Sequence, residues 1–320
     1  MKCVQLGWQI RVCQASFFLG LLGGLVGLAP RVLAQSITSA DDNVGTVVTQ
    51  DGSRIDITGG TISIDGGNQF HSFDQFNLST DEIANFLSTP GIENILSRII
   101  GGDISVIDGL LRVSGSDANL FLMNSSGFIL GPNTQLDLLG SLSLSAGTGI
   151  NFENGSFGLL DSGDYANLVG NPIEFEFGVE GGPILNAGEL EVAAGETVSL
   201  VGGTVVNTGT VETPGGNISV TAVPGTGRVQ LRQPGWVIGL EIEAPRDAQG
   251  QLLPITPMDL ATLLTEGAAG LETGVVADAD GAVTLAESGV EIPTEVGTAI
   301  VSGRLDASSN DAGQVGGEVN

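Results

Sequence analysis

Short stretches of alternating apolar and polar residues, separated by turn residues, recur along most of this chain. Residues 44–49, 53–58 and 61–64 show the pattern, with Asp51-Gly52 and Gly59-Gly60 between them. Alternation with a period of two predicts β-strands, and such dipeptides predict tight turns. The turns recur more often than in a β-sandwich, where they come about every 8–12 residues. The pattern predicts an all-β solenoid, in which each strand stacks on its counterpart in the next rung.

The repeating pattern falls into two zones, residues 37–160 and residues 171–245. With about 22 residues per rung, the chain is expected to form about 11 rungs. The first rung of a solenoid has no neighbour on one side and needs a cap. Residues 36–70 are the candidate for that cap.

Residues 246–270 interrupt the second zone. Thr256 at an N-cap position, Pro257 at the first helical position and Asp259 in the first turn predict a short helix within a loop. The array is expected to resume over residues 281–285, 289–292 and 297–301 and to stop in mid-rung at residue 320.

One segment carries a different period. Ile83, Phe86 and Leu87, followed by apolar residues between 92 and 99, have helical spacing, and Pro90-Gly91 divides them. Periodicity alone predicts one or two short helices over residues 81–100.

Composition narrows the class of protein. Gly accounts for 50 of the 320 residues, charged residues for 15% and hydrophobic residues for 41%, and the mean hydropathy is +0.28. A disordered chain would be more charged and less apolar, and a collagen would carry Gly at every third position. Glycine-rich turns between short apolar strands suit a solenoid better than an ordinary α/β enzyme.

The first 34 residues have the order of a secretory signal peptide. Lys2 and Arg11 precede an apolar run over residues 15–29, and a small-residue cleavage site ends at Ala34. The alternative is a membrane-spanning helix, which the glycines in the run disfavour. Cleavage is expected between Ala34 and Gln35.

Removal of this segment changes the charge and the redox chemistry. The remaining chain carries seven Arg against 37 acidic residues, a formal charge of −30, and no Lys or Cys. Disulfides are therefore excluded, and nucleic acid is disfavoured as a partner because phosphate binding needs clustered basic residues.

Residues for catalysis or metal binding are few. His71 is the single His and is expected to be structural. The pairs Glu174/Glu176 and Glu189/Glu191 are expected to be solvated strand faces. The run Asp278-Ala-Asp280-Gly281 lacks the first ligand of a calcium loop and predicts a hairpin turn instead. No cofactor and no metal site is expected.

Three further segments resemble one known family, in order and without large gaps over about residues 40–155. Residues 68–77 resemble its NLFHSFxxFN element, residues 92–102 its IxNIxSRVTGG element with SxIxG following, and residues 118–133 its ANLFLINPNGIIFGPNA element. These elements are typical of the filamentous haemagglutinin N-terminal domain, or two-partner secretion domain, in its cyanobacterial form.

The resemblance implies a right-handed parallel β-helix with an N-terminal cap and, against the helical spacing, a strand over residues 92–100. It also implies export through the inner membrane by the Sec machinery. Passage across the outer membrane would follow through a β-barrel transporter with periplasmic POTRA-type domains. The expected location is extracellular or on the cell surface, reached through the periplasm.

The expected organisation is a signal peptide at 1–34, a two-partner secretion domain at 35–160, a β-helix continuation at 161–245, a loop or helix insertion at 246–270 and further rungs at 271–320. The expected function is that of a secreted adhesin or structural protein with an unidentified surface receptor, and not an enzyme. Two alternatives stay open: a carbohydrate-active enzyme on the same scaffold, and the N-terminal part of a contact-dependent toxin carrier.

One departure from the family pattern lies in a turn. The family has Asn-Pro-Asn-Gly where this chain has Asn124-Ser125-Ser126-Gly127, and Ser tolerates the same turn with less rigidity than Pro. The residues that the resemblance assigns to recognition by the transporter are Asn68, Phe70, His71, Phe73, Asn124, Ser125, Ser126 and Gly127.

Overall fold

The computed structural model describes residues 36–159, 163–231, 239–241 (backbone only), 264, 271–278, 281–293, 296–309 and 316–320. These residues form strands joined by short turns, with one 3-10 turn at Tyr165–Asn167. Over the described ranges, no helix has the length and apolar character needed to cross a membrane.

Most strands are short, as the alternating pattern predicts. The first thirteen are β1 (Ile37–Ser39), β2 (Thr46–Asp51), β3 (Arg54–Gly59), β4 (Thr61–Ile62), β5 (Asn68–Phe76), β6 (Ile83–Leu87), β7 (Asn94–Ile99), β8 (Ser105–Ile107), β9 (Leu110–Ser114), β10 (Asn119–Met123), β11 (Phe128–Leu130), β12 (Gln135–Asp137) and β13 (Leu142–Ser145). Those that follow are β14 (Gly149–Phe152), β15 (Gly155–Gly158), β16 (Glu174–Phe177), β17 (Ile184–Asn186), β18 (Glu189–Glu191), β19 (Thr197–Gly202), β20 (Val205–Asn207), β21 (Thr210–Glu212), β22 (Asn217–Ala222), β23 (Gly227–Gln230), β24 (Gly239–Glu241), β25 (Val275–Ala277), β26 (Val283–Leu285), β27 (Glu291–Ile292), β28 (Ala299–Val301) and β29 (Arg304–Asp306).

Parallel strands stack into the three faces of a β-helix. Face 1 consists of β5, β7, β10, β13, β19 and β22. Face 2 consists of β8, β11, β17, β20 and β28. Face 3 begins with β3, β6, β9 and β12 and continues with β18, β21 and β29. The all-β, parallel β-helix expected from the sequence is confirmed.

The N-terminal end of the β-helix is closed by antiparallel pairing. Strands β1 and β4 pair antiparallel with β5, and β2 pairs antiparallel with β3. These strands occupy the edges that a preceding rung would otherwise fill. Residues 36–70 thus lie where the sequence predicts a cap, and parallel stacking on face 1 begins at β5.

Two insertions leave the β-helix at the same corner, between face 1 and face 2. Residues 146–183 follow β13, and residues 223–298 follow β22. Strands β14, β15 and β16 of the first insertion and β23 and β24 of the second form one antiparallel sheet. We call this the insertion sheet.

The insertion sheet covers the outer side of face 1. The ring centroids of Phe70 and Phe157 are 5.0 Å apart, and those of Phe121 and Phe175 are 6.3 Å apart. Phe70, Phe121, Phe157 and Phe175 are fully buried. At these positions β5 and β10 therefore bury both of their sides, one inside the β-helix and one beneath the insertion sheet.

The expected helices over residues 81–100 are wrong. This segment forms β6 and β7, and all six residues of β7 are buried. A strand buried on both sides does not need the alternation of apolar and polar residues, and the scattered apolar residues of this segment mimic helical spacing.

The chain after β22 differs from the expected array. Strands β25, β26 and β27 pair antiparallel over residues where the sequence predicts rungs, and they pack against the outer side of face 2. Strands β25 and β26 pair antiparallel on either side of the expected hairpin turn, whose residues 279 and 280 lie outside the described residues. Because the two insertions consume much of the chain, face 1 has six parallel strands within the described ranges, where about 11 rungs were expected. The helix predicted from Thr256 lies outside the described residues, apart from Leu264.

Candidate recognition elements of the secretion domain

The first element, residues 68–77, forms β5 and the turn after it, and its side chains alternate between two environments. Phe70 packs on Phe157 and Tyr165 of the first insertion. His71 and Phe73 pack on Phe86 of β6, inside the β-helix. The alternation follows from the pleat of a strand, which sends successive side chains to opposite sides.

A ladder of three Asn side chains runs across the start of the face 1 strands. The amide of Asn94 donates to Oδ1 of Asn68 at 2.9 Å, and the amide of Asn119 donates to Oδ1 of Asn94 at 3.1 Å. Asn68 in turn donates to the carbonyls of Leu168 and Gly170 in the first insertion. The ladder satisfies buried amides and fixes the register of three rungs.

His71 is enclosed completely. Its side chain has no exposed surface, and neither ring nitrogen has a hydrogen-bond partner. Burial lowers the pKa of His71 to about 3, because the charged ring would lose its hydration. Gly60, at φ +78°, leaves no room beside the ring: a Cβ there would lie 2.9 Å from Cε1.

Arg98 is a residue whose importance the sequence analysis did not identify. This buried side chain on β7 donates to Oγ of Ser72 at 3.0 Å, to the hydroxyl of Tyr165 at 2.8 Å and to the carbonyl of Gly158. It also pairs with Asp42 of the cap at 3.0 Å. Arg98 therefore joins the cap, the first rung and the first insertion. The signal in the sequence was the spacing of two residues between Asn94, Leu96 and Arg98, which places Arg98 on the same side of the strand as the other two.

The carboxylate of Asp42 is adapted to this contact. Burial raises its pKa, but hydrogen bonds from Ser72, the Val44 N–H and Arg98, together with the charge of Arg98, outweigh that effect and lower the pKa. The stabilisation from Asp42 is therefore present above its unfolded pKa of 3.8 and is lost as the pH falls below that value.

The second element, residues 124–127, forms the turn between β10 and β11. The Gly127 N–H donates to the Asn124 carbonyl at 2.9 Å, and the Ser126 N–H donates to Oδ1 of Asn124 at 3.0 Å. Gly127 has φ +101°. The turn expected from the family pattern is therefore present in this chain without its Pro.

This turn is hydrogen-bonded to neighbouring backbone on both of its sides, at the corner between face 1 and face 2. Oγ of Ser126 donates to the Gly102 carbonyl at 2.7 Å on one side. On the other side the Ser125 carbonyl accepts from the Gly182 N–H at 2.8 Å, and the Pro183 carbonyl accepts from the Phe128 N–H. Asn124 and Ser126 are buried, and Ser125 is half-buried.

Ser125 borders a groove of about 420 Å³ between face 1 and the insertion sheet. Ile99, Leu159 and Val179 give the groove apolar walls, and Glu176 contributes a carboxylate. The structure does not bring the two recognition elements together at this surface, because Asn68, Phe70, His71 and Phe73 are all buried.

The other predicted residues have separate environments. The cleavage site at Ala34 and Gln35 lies outside the described residues. Glu174 and Glu176 both accept from the side-chain amide of Asn151, at 2.8 and 3.2 Å. Across the part of the chain that the structure describes, no group of three His, Cys, Asp or Glu side chains is placed to hold a metal ion.

Comparison with known families decides the class of this β-helix. The family model for the TPS secretion domain matches residues 34–266. The chain belongs to the TPS secretion domain family. The match extends beyond the residues that carry the sequence motifs, and the expected membership of the two-partner secretion domain family is confirmed. The cyanobacterial form of the family stays a prediction.

Two solved secretion domains are similar to this one. The HMW1 secretion domain from Haemophilus influenzae has a TM-score of 0.48 and 24% identity, over 65% of this chain and 50% of that chain. The filamentous haemagglutinin secretion domain has a TM-score of 0.40 and 18% identity, over 70% and 69%. The match thus spans half the length of the HMW1 chain. No curated protein matches this chain.

Proposed function

We propose that this chain is a two-partner-secretion exoprotein that a dedicated outer-membrane transporter recognises before the secretion domain folds. This proposal rests on the burial of the recognition elements. Asn68, Phe70, His71 and Phe73 have no exposed surface, and Asn124 has 1%. A transporter that reads these side chains must therefore meet them in an unfolded or partly folded chain.

The export route that follows from this proposal crosses two membranes. The Sec machinery takes the chain through the inner membrane on residues 1–34, and cleavage after Ala34 releases Gln35 into the periplasm. Periplasmic POTRA-type domains of the transporter then bind the unfolded chain through residues 68–73 and 124–127. A mature chain without Cys cannot be locked by disulfides during this passage.

Folding then proceeds outside the cell from the N-terminus. The cap and β5 form an edge to which β7 adds, and each later strand of face 1 adds to the one before it. This is strand addition by the chain to its own growing edge. The expected product is a surface-associated adhesin or structural protein without enzymatic activity, and its receptor is a cell-surface partner of unidentified kind.

The Ser125 position tests the recognition turn without disturbing the core. None of the described hydrogen bonds uses the Ser125 N–H or its hydroxyl. Ser125→Pro is therefore expected to stabilise the fold by about 0.4–1 kcal/mol, because Pro restricts the unfolded chain. It should also preserve or increase export, since it restores the Pro of the family pattern. The measurement is the ratio of extracellular to periplasmic protein with the cognate transporter co-expressed.

Ser125→Ala is the matched control for this experiment. It removes the same hydroxyl without fixing φ, so stability and export should stay close to wild type. Loss of export in Ser125→Pro, with stability maintained, would contradict the expectation that this turn is equivalent to the Asn-Pro-Asn-Gly turn of the family.

A further inference from the structure

His71 occupies a site inside the first rung, formed by β5 and β6, that excludes a charged ring. The ring centroid of Phe86 lies 5.9 Å away and that of Phe73 lies 6.2 Å away. Gly60 packs against the ring edge from the cap side. Ser97 is the register neighbour on β7, and its Oγ is also buried without a hydrogen-bond partner.

Charged groups on the surrounding strands do not compensate a proton on this ring. On β5 and β7 the charged residues are Asp74, which is exposed, and Arg98, which faces the insertion. On β3, Arg54 and Asp56 pair with each other; β6 and β4 carry no charged residue. Desolvation is the one cause of the lowered pKa of His71.

We propose that formation of the first rung is coupled to the release of a proton from His71, so that acidity favours the unfolded chain and a neutral medium favours the folded domain. The coupling itself is a property of the chain alone. Acidity would hold the chain unfolded, in the form that the transporter accepts. This consequence for export rests on the proposed function.

The direction of the effect follows from the two states of His71. In the unfolded chain the ring has an ordinary pKa of about 6.5, and in the folded domain the pKa is about 3. Between these values the unfolded state binds a proton that the folded state does not. Stability is therefore complete above about pH 6.5, and the folding equilibrium constant falls about tenfold for each pH unit below it.

In the window from pH 4.5 to 6.5, comparison with His71→Leu isolates this residue. His71 is the single His of the chain. The pKa values of Asp42, Asp56 and Asp65 are lowered from 3.8, so the loss of their stabilisation lies below this window.

The test is urea unfolding of the purified chain, followed by circular dichroism at pH 4.5, 5.5, 6.5 and 7.5. Relative to His71→Leu, the wild-type folding equilibrium constant should fall about 50-fold between pH 6.5 and 4.5, because half of the unfolded chains already carry the proton at pH 6.5. Ser97→Ala is the matched control, because it alters an adjacent buried polar group that does not titrate. It should change stability by a constant factor and keep the wild-type slope.

A second readout keeps the proposal testable where His71→Leu does not fold. The ring proton resonances of the single His are followed by NMR in the folded wild-type chain and in urea. Titration near pH 6.5 in urea, with an unchanged neutral resonance down to pH 4.5 in the folded chain, supports the coupling. Equal pH dependence in wild type and His71→Leu, or a folded-state pKa near 6.5, would overturn it. Because no transporter is present, these outcomes do not depend on the proposed route of export.

Discussion

Arg98→Ala is expected to destabilise the folded domain by about 3–5 kcal/mol, the usual cost of breaking a buried ion pair. The variant leaves Asp42 without its cationic partner and removes hydrogen bonds to Ser72, Tyr165 and Gly158. It also removes a guanidinium that lies 5.0 Å from the ring centroid of Phe157. Because these partners belong to the cap, the first rung and the first insertion, the loss should loosen all three. Urea unfolding of the purified chain measures the change.

Arg112 provides the matched control. It pairs with Asp137 on the outer side of face 3, where the two side chains are 35% and 58% exposed. Exposed pairs of this kind contribute at most about 1 kcal/mol. Equal destabilisation by Arg98→Ala and Arg112→Ala would contradict the role assigned to Arg98.

Gly127→Ala is the second substitution with a large expected effect. Gly127 has φ +101°, and a Cβ there would lie 2.2 Å from the carbonyl oxygen of Pro183 in the neighbouring layer. The left-handed conformation costs an Ala about 1–2 kcal/mol, and forcing a methyl into a packed site costs about 1–3 kcal/mol more. We expect a loss of about 3 kcal/mol or more in the free energy of unfolding, and a larger loss for Gly127→Val.

Gly91 separates the two contributions. Its φ is +102°, almost the same as that of Gly127, but no atom lies within 4 Å of its added Cβ. Gly91→Ala should therefore cost only the backbone strain of about 1–2 kcal/mol. Equal effects at the two positions would show that the contact with Pro183 is not limiting. Because Gly127 is required by the fold, blocked export of its Val variant does not by itself identify a recognition element.

The sequence predicts the β-helix because the solenoid depends on local features. Short alternating strands and turn pairs such as Gly59-Gly60 are visible in the chain, and their frequency distinguishes a solenoid from a sandwich. The cap is also predictable, since an array must begin with a closed edge. The strand at Asn94–Ile99 followed from the family resemblance, while its periodicity indicated a helix.

The insertions could not be predicted by the same reasoning. Strands such as Glu174–Phe177 and Val283–Leu285 have the local pattern of rungs, but they pair antiparallel with distant partners. The direction in which these strands pair depends on where the chain leaves the β-helix. No local sequence pattern shows that the chain leaves it at the corner between face 1 and face 2. For the same reason the sequence did not show that Phe70 and Arg98 face an insertion, although both lie in recognisable motifs.

The candidate site, too, was predictable from the sequence only in part. The turn at residues 124–127 was expected from its residue types, and the structure has it. The burial of Asn68, His71 and Asn124 follows only from three-dimensional stacking of rungs. Because of that burial, a transporter can reach these side chains only before the domain folds.

Thiol labelling at position 97 tests most directly whether the recognition elements are accessible before export and buried afterwards. Ser97 is the register neighbour of His71, is fully buried and makes no hydrogen bond through Oγ, so Ser97→Cys should fold normally. Cys3 and Cys13 lie in the predicted signal peptide, so the introduced thiol is unique in the mature chain. Ser53→Cys, at an exposed position, gives the reference rate of labelling.

In periplasmic chain that lacks its transporter, we predict that the thiol of Ser97→Cys reacts as fast as the thiol of Ser53→Cys. In exported chain, the thiol of Ser97→Cys should be protected at least tenfold relative to that reference, because the folded β-helix encloses it. Protection of the Ser97→Cys thiol in the periplasm would contradict the account, because the domain would then fold before it crosses the outer membrane.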